Sequence, residues 1–366
     1  MIKYMFPSTA SQSTESSQAT ERLSFKQNNF DLLRLLFALI VCLVHVYKLS
    51  ENPQLAWLHR VLSSDLAIQA FFVVSGFLIF RSYEQSSSLK SYISKRARRI
   101  YPAYFVVILL SAFGLFFASS VNVEQYFSFE WLRYVLVNLF FLNFLQHTLP
   151  GVFESNLLPA VNGALWTLKI EVMFYISVPF FVLLFNKLPR HFVLLFFYAA
   201  SVLYLVICNY LADLTGDELY RVLGRQLPGQ LSYFLAGAAL FYYLAYFERY
   251  AALFLTVAVL ILIANQFFVL PALQPLALSV LVVYLGMFHY LGNFGKFGDF
   301  SYGVYIFHFP IIQLLLLLQF FRVSPWWLLL ISVAATFIAA FASWHLIEKR
   351  FLHRSSHYMK TIGRSA

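Results

Sequence analysis

The sequence predicts an all-α fold, a polytopic membrane helix bundle. Three observations carry that prediction. The chain has 366 residues, of which 61% are hydrophobic and only 11% charged. A soluble domain has about 25% charged and about 45–50% apolar residues, so the excess apolar surface must face lipid. About ten runs in the chain come close to the ~20 consecutive apolar residues that a membrane-crossing helix needs. Finally, the basic residues fall between those runs in an uneven, alternating pattern.

The expected spans are 28–47, 66–83, 101–118, 164–186, 192–211, 229–246, 251–268, 273–291, 300–320 and 325–347. Segment 131–146 is apolar but short, and Arg133 and Asn138 interrupt it. It reads as a re-entrant or interfacial helix. With the N-terminus in the cytoplasm, 18 of the 26 Lys and Arg residues fall on the cytoplasmic side and 6 on the other. Arg34 and Lys169 lie within spans. This division follows the positive-inside rule and puts both termini in the cytoplasm. The net charge of +10 then reflects anchoring at the membrane, with no call for nucleic acid.

Residues 1–24 are rich in Ser, Thr and Gln and read as a disordered cytoplasmic tail. They are not a signal peptide, because the first apolar run begins only near Phe30. The membrane domain is expected over 25–352, followed by a cytoplasmic tail over 353–366. The two cysteines, Cys42 and Cys208, lie inside apolar runs. They offer neither a plausible disulfide nor a metal-ligand spacing. Cys42 precedes His45 by one helical turn, where an acyl carrier is conceivable and a small apolar packing residue is the plainer reading.

Ionisable side chains within spans are costly and persist when paired, hydrated or functional. In the first span, Arg34 and His45 are 11 residues apart. They fall within about 20° on one helix face, ~16 Å apart along the axis. Asp31 lies three residues before Arg34. The spacing alone favours an Asp31–Arg34 pair near the interface and a hydrogen-bonded core histidine. In the fourth span, Glu171 sits about two turns from the non-cytoplasmic side. That depth permits a carboxylate–imidazole pair with His45; a wet-interface position for Glu171 and Lys169 is equally open. The cytoplasmic stretch 91–105 holds Arg96, Arg98, Arg99 and Tyr101. It suits an anchor at anionic lipid or a clamp on phosphate. Ser75-Gly76 in FFVVSGFLIF first suggests close helix packing. Ser301, Tyr305 and His308 follow helical spacing and form an inward polar stripe beside Tyr302.

Taken in order, these runs resemble acyltransferase family 3, a group of integral membrane proteins. The resemblance rests on FDLLR…H with Arg34 and His45, FFVVSGFLI, RRIYPAY, ALWTLKIEVMFY with Trp166 and Glu171, FSYGVYIFHFPI and SWHLIEKRFL. It covers roughly 28–352. Lys169, Val172 and Arg350 depart from the usual pattern. The chain ends soon after the last span, so the likeness is to stand-alone members such as bacterial O-antigen O-acetyltransferases of the inner membrane.

The resemblance implies acyl transfer, usually acetyl from acetyl-CoA, to a sugar hydroxyl of a surface polysaccharide or lipid-linked oligosaccharide. It implies no metal. Arg96, Arg98, Arg99 and Tyr101 would then hold the CoA end. Arg34 would line the donor route, His45 would act as general base, and Glu171 would orient it. Ser75, Trp166, Ser301, Tyr302, Tyr305 and His308 would line the substrate or the oxyanion. The competing reading is a proton-coupled transporter of a glycan or small solute, with Arg34, His45 and Glu171 as a proton relay. A structural assembly subunit is the third.

Overall fold

A computed structural model describes residues 27–320 and 324–352. The two expected tails, 1–24 and 353–366, lie outside the described residues. Ten helices of 14 or more residues occur among the described residues. They are α1 (Phe30–Ser50), α2 (Ser64–Glu84), α3 (Leu89–Gly114), α4 (Trp166–Phe185) and α5 (Arg190–Thr215). The second five are α6 (Leu227–Tyr242), α7 (Ala251–Ala264), α8 (Gln274–Met287), α9 (Ser301–Leu317) and α10 (Pro325–Ser343). No strand occurs among the described residues. Six helical runs are long and apolar enough to cross a membrane, and α7, α8 and α9 are shorter apolar helices. The chain is a multi-pass membrane protein.

The ten helices coincide with the ten expected runs, with one large shift. Helix α3 begins at Leu89, so the basic stretch is its first three turns and not a loop. The Ser88 side chain caps this start by accepting from the Ser91 amide at 3.1 Å. The first part of the interrupted apolar segment 131–146 folds as an 11-residue helix, Phe129–Leu139, and the rest leaves it through a turn and a short 3-10 turn, Asn143–Leu145. Eleven residues rise ~16 Å, about half of the ~30 Å hydrocarbon layer. This helix is strapped to α3: Trp131 Nε1 donates to the Ala112 carbonyl at 2.8 Å, and the Tyr104 hydroxyl donates to the Asn138 carbonyl at 2.6 Å.

Helices α2 and α6 pack backbone on backbone. A Cβ on Gly76 would lie 1.8 Å from the Phe234 carbonyl oxygen, and one on Gly237 would lie 2.1 Å from that of Val73. Each glycine thus accepts the other helix's main chain. Phe174 from α4 stacks on Phe234 at 4.2 Å and closes this layer. Gly76→Ala is expected to destabilise the fold by at least the ~1–3 kcal/mol typical of overpacking. Gly114→Ala, where the nearest atom to a new Cβ is 4.0 Å away, should be neutral. Thermal unfolding of the two variants side by side checks this; equal midpoints would remove the close-contact account.

Helices α1 and α9 run in parallel. Arg34 near the start of α1 meets Asp299, just before α9, and His45 farther along meets His308. The bundle therefore has a charged end, marked by Arg34 and Asp299, and an opposite, far end.

Candidate active site

At the charged end, one buried carboxylate joins three elements. Asp299 is 2% exposed. Its Oδ1 accepts from the Ser301 amide at 3.1 Å and from the Ser301 hydroxyl, fixing the start of α9. Its Oδ2 takes Arg34 from α1 at 3.1 Å and is also ion-paired with Arg99 from α3. Arg34 also pairs with Asp31 at 2.5 Å, as the spacing suggested. Glu348, 2% exposed, lies 3.9 Å from Arg99 and accepts from the Ser343 hydroxyl at 2.8 Å. It sits in a π-helical turn, Trp344–Glu348, at the end of α10. Such turns concentrate at functional sites.

A cleft opens beside this cluster. Arg34, Arg96 and Arg99 line it at one end, with Ser75, Glu171, Ser301 and Tyr302 along its walls, and Thr167 and Tyr305 farther in. Tyr175 Oη donates to Glu171 Oε1 at 2.5 Å, and the Arg96 guanidinium lies 5.8 Å from the Tyr175 ring centre. Tyr302 Oη donates to the Ile100 carbonyl at 2.9 Å. The cleft closes where the Tyr305 and Thr167 hydroxyls meet at 2.6 Å.

Three residues beyond Tyr305, one helical turn, lies His308. The Tyr305 and His308 rings are 5.8 Å apart. His308 is wholly buried, and His45 is half-buried against it. Their hydrogen bonding fixes the tautomers when both rings are neutral. His308 Nδ1 lies 3.1 Å from the Val304 carbonyl oxygen. A carbonyl only accepts, so Nδ1 carries the proton and Nε2 is a bare acceptor. That Nε2 is 3.0 Å from His45 Nδ1, which therefore donates. His45 Nε2 is left with its lone pair, the form a general base needs.

Several expectations are corrected by these positions. Glu171 does not pair with His45; His308 does. The reason is depth. The antiparallel α4 starts level with the middle of α9: Asn162 Nδ2 donates to the Ile306 carbonyl at 2.8 Å, and Thr167 meets Tyr305. Four residues farther along α4, Glu171 has moved on toward the charged end and lines the cleft. Arg98 is exposed and Tyr101 is 41% exposed; neither lines the cleft. At 100° per residue on α3, Arg98 lies about 200° from Arg96, and Tyr101 lines a neighbouring cavity beside Arg96. Trp166 faces a different cavity at the far end. Gly76 serves packing while Ser75 faces the cleft. Cys42 is fully buried, in keeping with the plainer packing reading. Asp299 and Glu348 were not singled out from the sequence. The available signal was one acidic residue at each of two motifs, Asp299 just before FSYGVYIFHFPI and Glu348 within SWHLIEKRFL. Among the described residues, no group of three His, Cys, Asp or Glu side chains could hold a metal.

A multi-pass helix bundle with a buried charge cluster, a cleft and an imidazole pair is the frame of a membrane enzyme. Residues 27–345 match the acyltransferase domain family, and the chain belongs to that family, acyltransferase family 3. It is an acyltransferase. It is 28% identical over 355 residues to nodulation protein 10 of Rhizobium leguminosarum bv. viciae, covering 90% of this chain and 95% of that protein. It is 29% identical over 338 residues to the O-acetyl transferase of Shigella phage Sf6, covering 90% and 98%. It is 27% identical over 330 residues to peptidoglycan O-acetyltransferase OatA of Listeria monocytogenes, covering 77% of this chain and 50% of that protein. No solved structure matches the chain significantly.

Proposed function

We propose that this protein is a bacterial inner-membrane O-acetyltransferase that moves acetyl from acetyl-CoA to a hydroxyl of a surface polysaccharide or lipid-linked glycan. One observation carries the reading: a cleft leads from Arg34, Arg96 and Arg99 to Tyr305, one helical turn from the His45–His308 pair. Two relatives, named as O-acetyl transferase and peptidoglycan O-acetyltransferase, support the acetyl group and a glycan acceptor. The division of basic residues supports cytoplasmic termini, with the charged end of the bundle on the same side.

In this reading, Arg96 and Arg99 hold the CoA phosphates as charge-assisted hydrogen-bond donors. The pantetheine arm threads past Arg34, with Glu171 and Ser301 as polar partners along the wall. His45 Nε2 takes the proton of the acceptor hydroxyl as its oxygen attacks the thioester carbon. A C–O bond forms, the C–S bond breaks, and the proton passes from His45 to the departing thiolate. The products are the acetyl ester and free CoA. His308 orients His45 through Nδ1, and the Ser75 and Tyr305 hydroxyls in the cleft wall are the candidate donors to the developing oxyanion.

Labelled acetyl-CoA and membranes containing the protein test this assignment. Arg96→Ala should raise the apparent KM for acetyl-CoA about ten- to hundredfold, the loss of a hydrogen bond to a charged group. Arg98→Ala, outside the cleft, should leave it unchanged. Equal effects of the two would return the basic stretch to a lipid anchor.

A further inference from the structure

A second cavity lies at the far end of the bundle. Asp65 and Gln69 reach it from the first two turns of α2, and Trp166 from the first residue of α4. Asn209 comes from the last turns of α5, Arg225 from the connection to α6, and Gln274 from the first residue of α8. Every contributing helix offers the end remote from Asp299. Ile68 forms part of both this cavity and the cleft. Consecutive residues, Trp166 and Thr167, also face one each. The two spaces are therefore back to back. At about 260 Å³ the far cavity is larger than the cleft, at about 120 Å³.

From this arrangement we infer that the far cavity binds the sugar residues of the acceptor glycan. The inference rests on the acetyl-transfer reading and supplies its second substrate site. Its walls combine carboxamides, a carboxylate, guanidinium groups and one indole. Carboxamides donate and accept together, matching neighbouring hydroxyls that do the same. The indole gives a flat apolar platform for the C–H face of a pyranose ring. The charge is mixed. Arg221 is held by Asp213 at 3.0 Å and Glu218 at 3.2 Å, and Asp65 stands in the wall. That balance favours a neutral saccharide over a phosphate group.

The walls are also tied in place. Gln274 Nε2 donates to Gln69 Oε1 at 3.3 Å, joining α8 to α2 across the cavity. Gln230 Nε2 donates to the Gly224 carbonyl at 3.0 Å, and a Cβ on Gly229 would lie 2.0 Å from that same oxygen. The short helix Glu218–Gly224 is thus locked to α6. A preformed polar site loses little freedom when sugar binds. A hydroxyl projecting past Ile68 then meets the closed end of the cleft beside Thr167 and Tyr305.

The test uses purified full-length protein, labelled acetyl-CoA, and oligosaccharide fragments of the surface glycan from cells lacking the gene. The double variant Asn209→Ala plus Gln274→Ala should raise the KM for oligosaccharide about tenfold. The KM for acetyl-CoA and its thermal stabilisation of the protein should be unchanged. The unchanged stabilisation also shows that the variant is folded. If the double variant loses it, Asn209→Trp replaces it as the probe: residue 209 is exposed, and the larger ring should obstruct the cavity without entering the core. An unchanged oligosaccharide KM in the folded variant overturns the acceptor site while leaving acetyl transfer intact. Wild-type protein that neither transfers acetyl nor is stabilised by acetyl-CoA overturns the underlying reading, and this inference with it.

Discussion

His45→Ala should lower acetyl transfer by about 10²–10⁴-fold, the contribution of a well-placed general base. Its KM for acetyl-CoA should stay near the wild-type value, because His45 is not among the residues lining the cleft. His308 acts through His45 and gives a graded companion series. His308→Ala removes the acceptor that fixes the His45 Nδ1 proton. His308→Asn keeps a carboxamide oxygen able to accept it. The expected order of kcat is wild type, His308→Asn, His308→Ala, then His45→Ala, with the pH profile altered in the two His308 variants. Initial rates with labelled acetyl-CoA across pH 5–9 read all four. Full activity in folded His45→Ala removes the base; two equal, wild-type-like His308 variants remove the positioning role.

Asp299→Ala carries the largest expected cost in stability. The carboxylate is 2% exposed and joins Arg34, Arg99 and the first turn of α9. Removing one partner from a buried ionic pair typically costs about 3–5 kcal/mol, and the remaining pairs of Arg34 with Asp31 and Arg99 with Glu348 hold the loss toward the lower figure. Asp299→Leu combined with Arg99→Met should recover part of that loss, since a partner charge leaves with the carboxylate. Thermal unfolding in detergent compares the two. A wild-type midpoint for Asp299→Ala would show that the cluster adds nothing to the fold.

The helices were legible because lipid imposes a simple rule on composition and length. Runs such as 30–50 and 190–215 can only be helical when few polar groups lie near to satisfy an open backbone. The short helix Phe129–Leu139 was legible for the same reason, through Arg133 and Asn138. Within one helix, periodicity also worked: Arg34 and His45 do share a face, and Ser301, Tyr305 and His308 do point inward. What failed was contact between helices. Nothing in the period of α1 or α9 specifies that His45 meets His308, and nothing in α4 says that Glu171 stops short of His45. Arg98 and Tyr101 stay off the cleft because their stretch is helical and each side chain has a fixed direction; Tyr101 lines a neighbouring cavity together with Arg96. Asp299 and Glu348 carry no signal of their pairing in the sequence, since only the fold brings the start of α9 and the end of α10 to Arg34 and Arg99.

The parallel pair α1 and α9 is fastened twice, by Arg34–Asp299 at one end and His45–His308 at the other. A slip of one residue would advance a helix by ~1.5 Å and rotate it by ~100°, breaking both fastenings together. The pair therefore acts as a strut. A register shift of one helix along the other is resisted at both contacts together. Side-chain rotation at Tyr305 and Thr167, whose hydroxyls meet at 2.6 Å, opens the cleft toward the imidazoles without disturbing either contact. Catalytic geometry and the permitted direction of motion are set by the same two contacts.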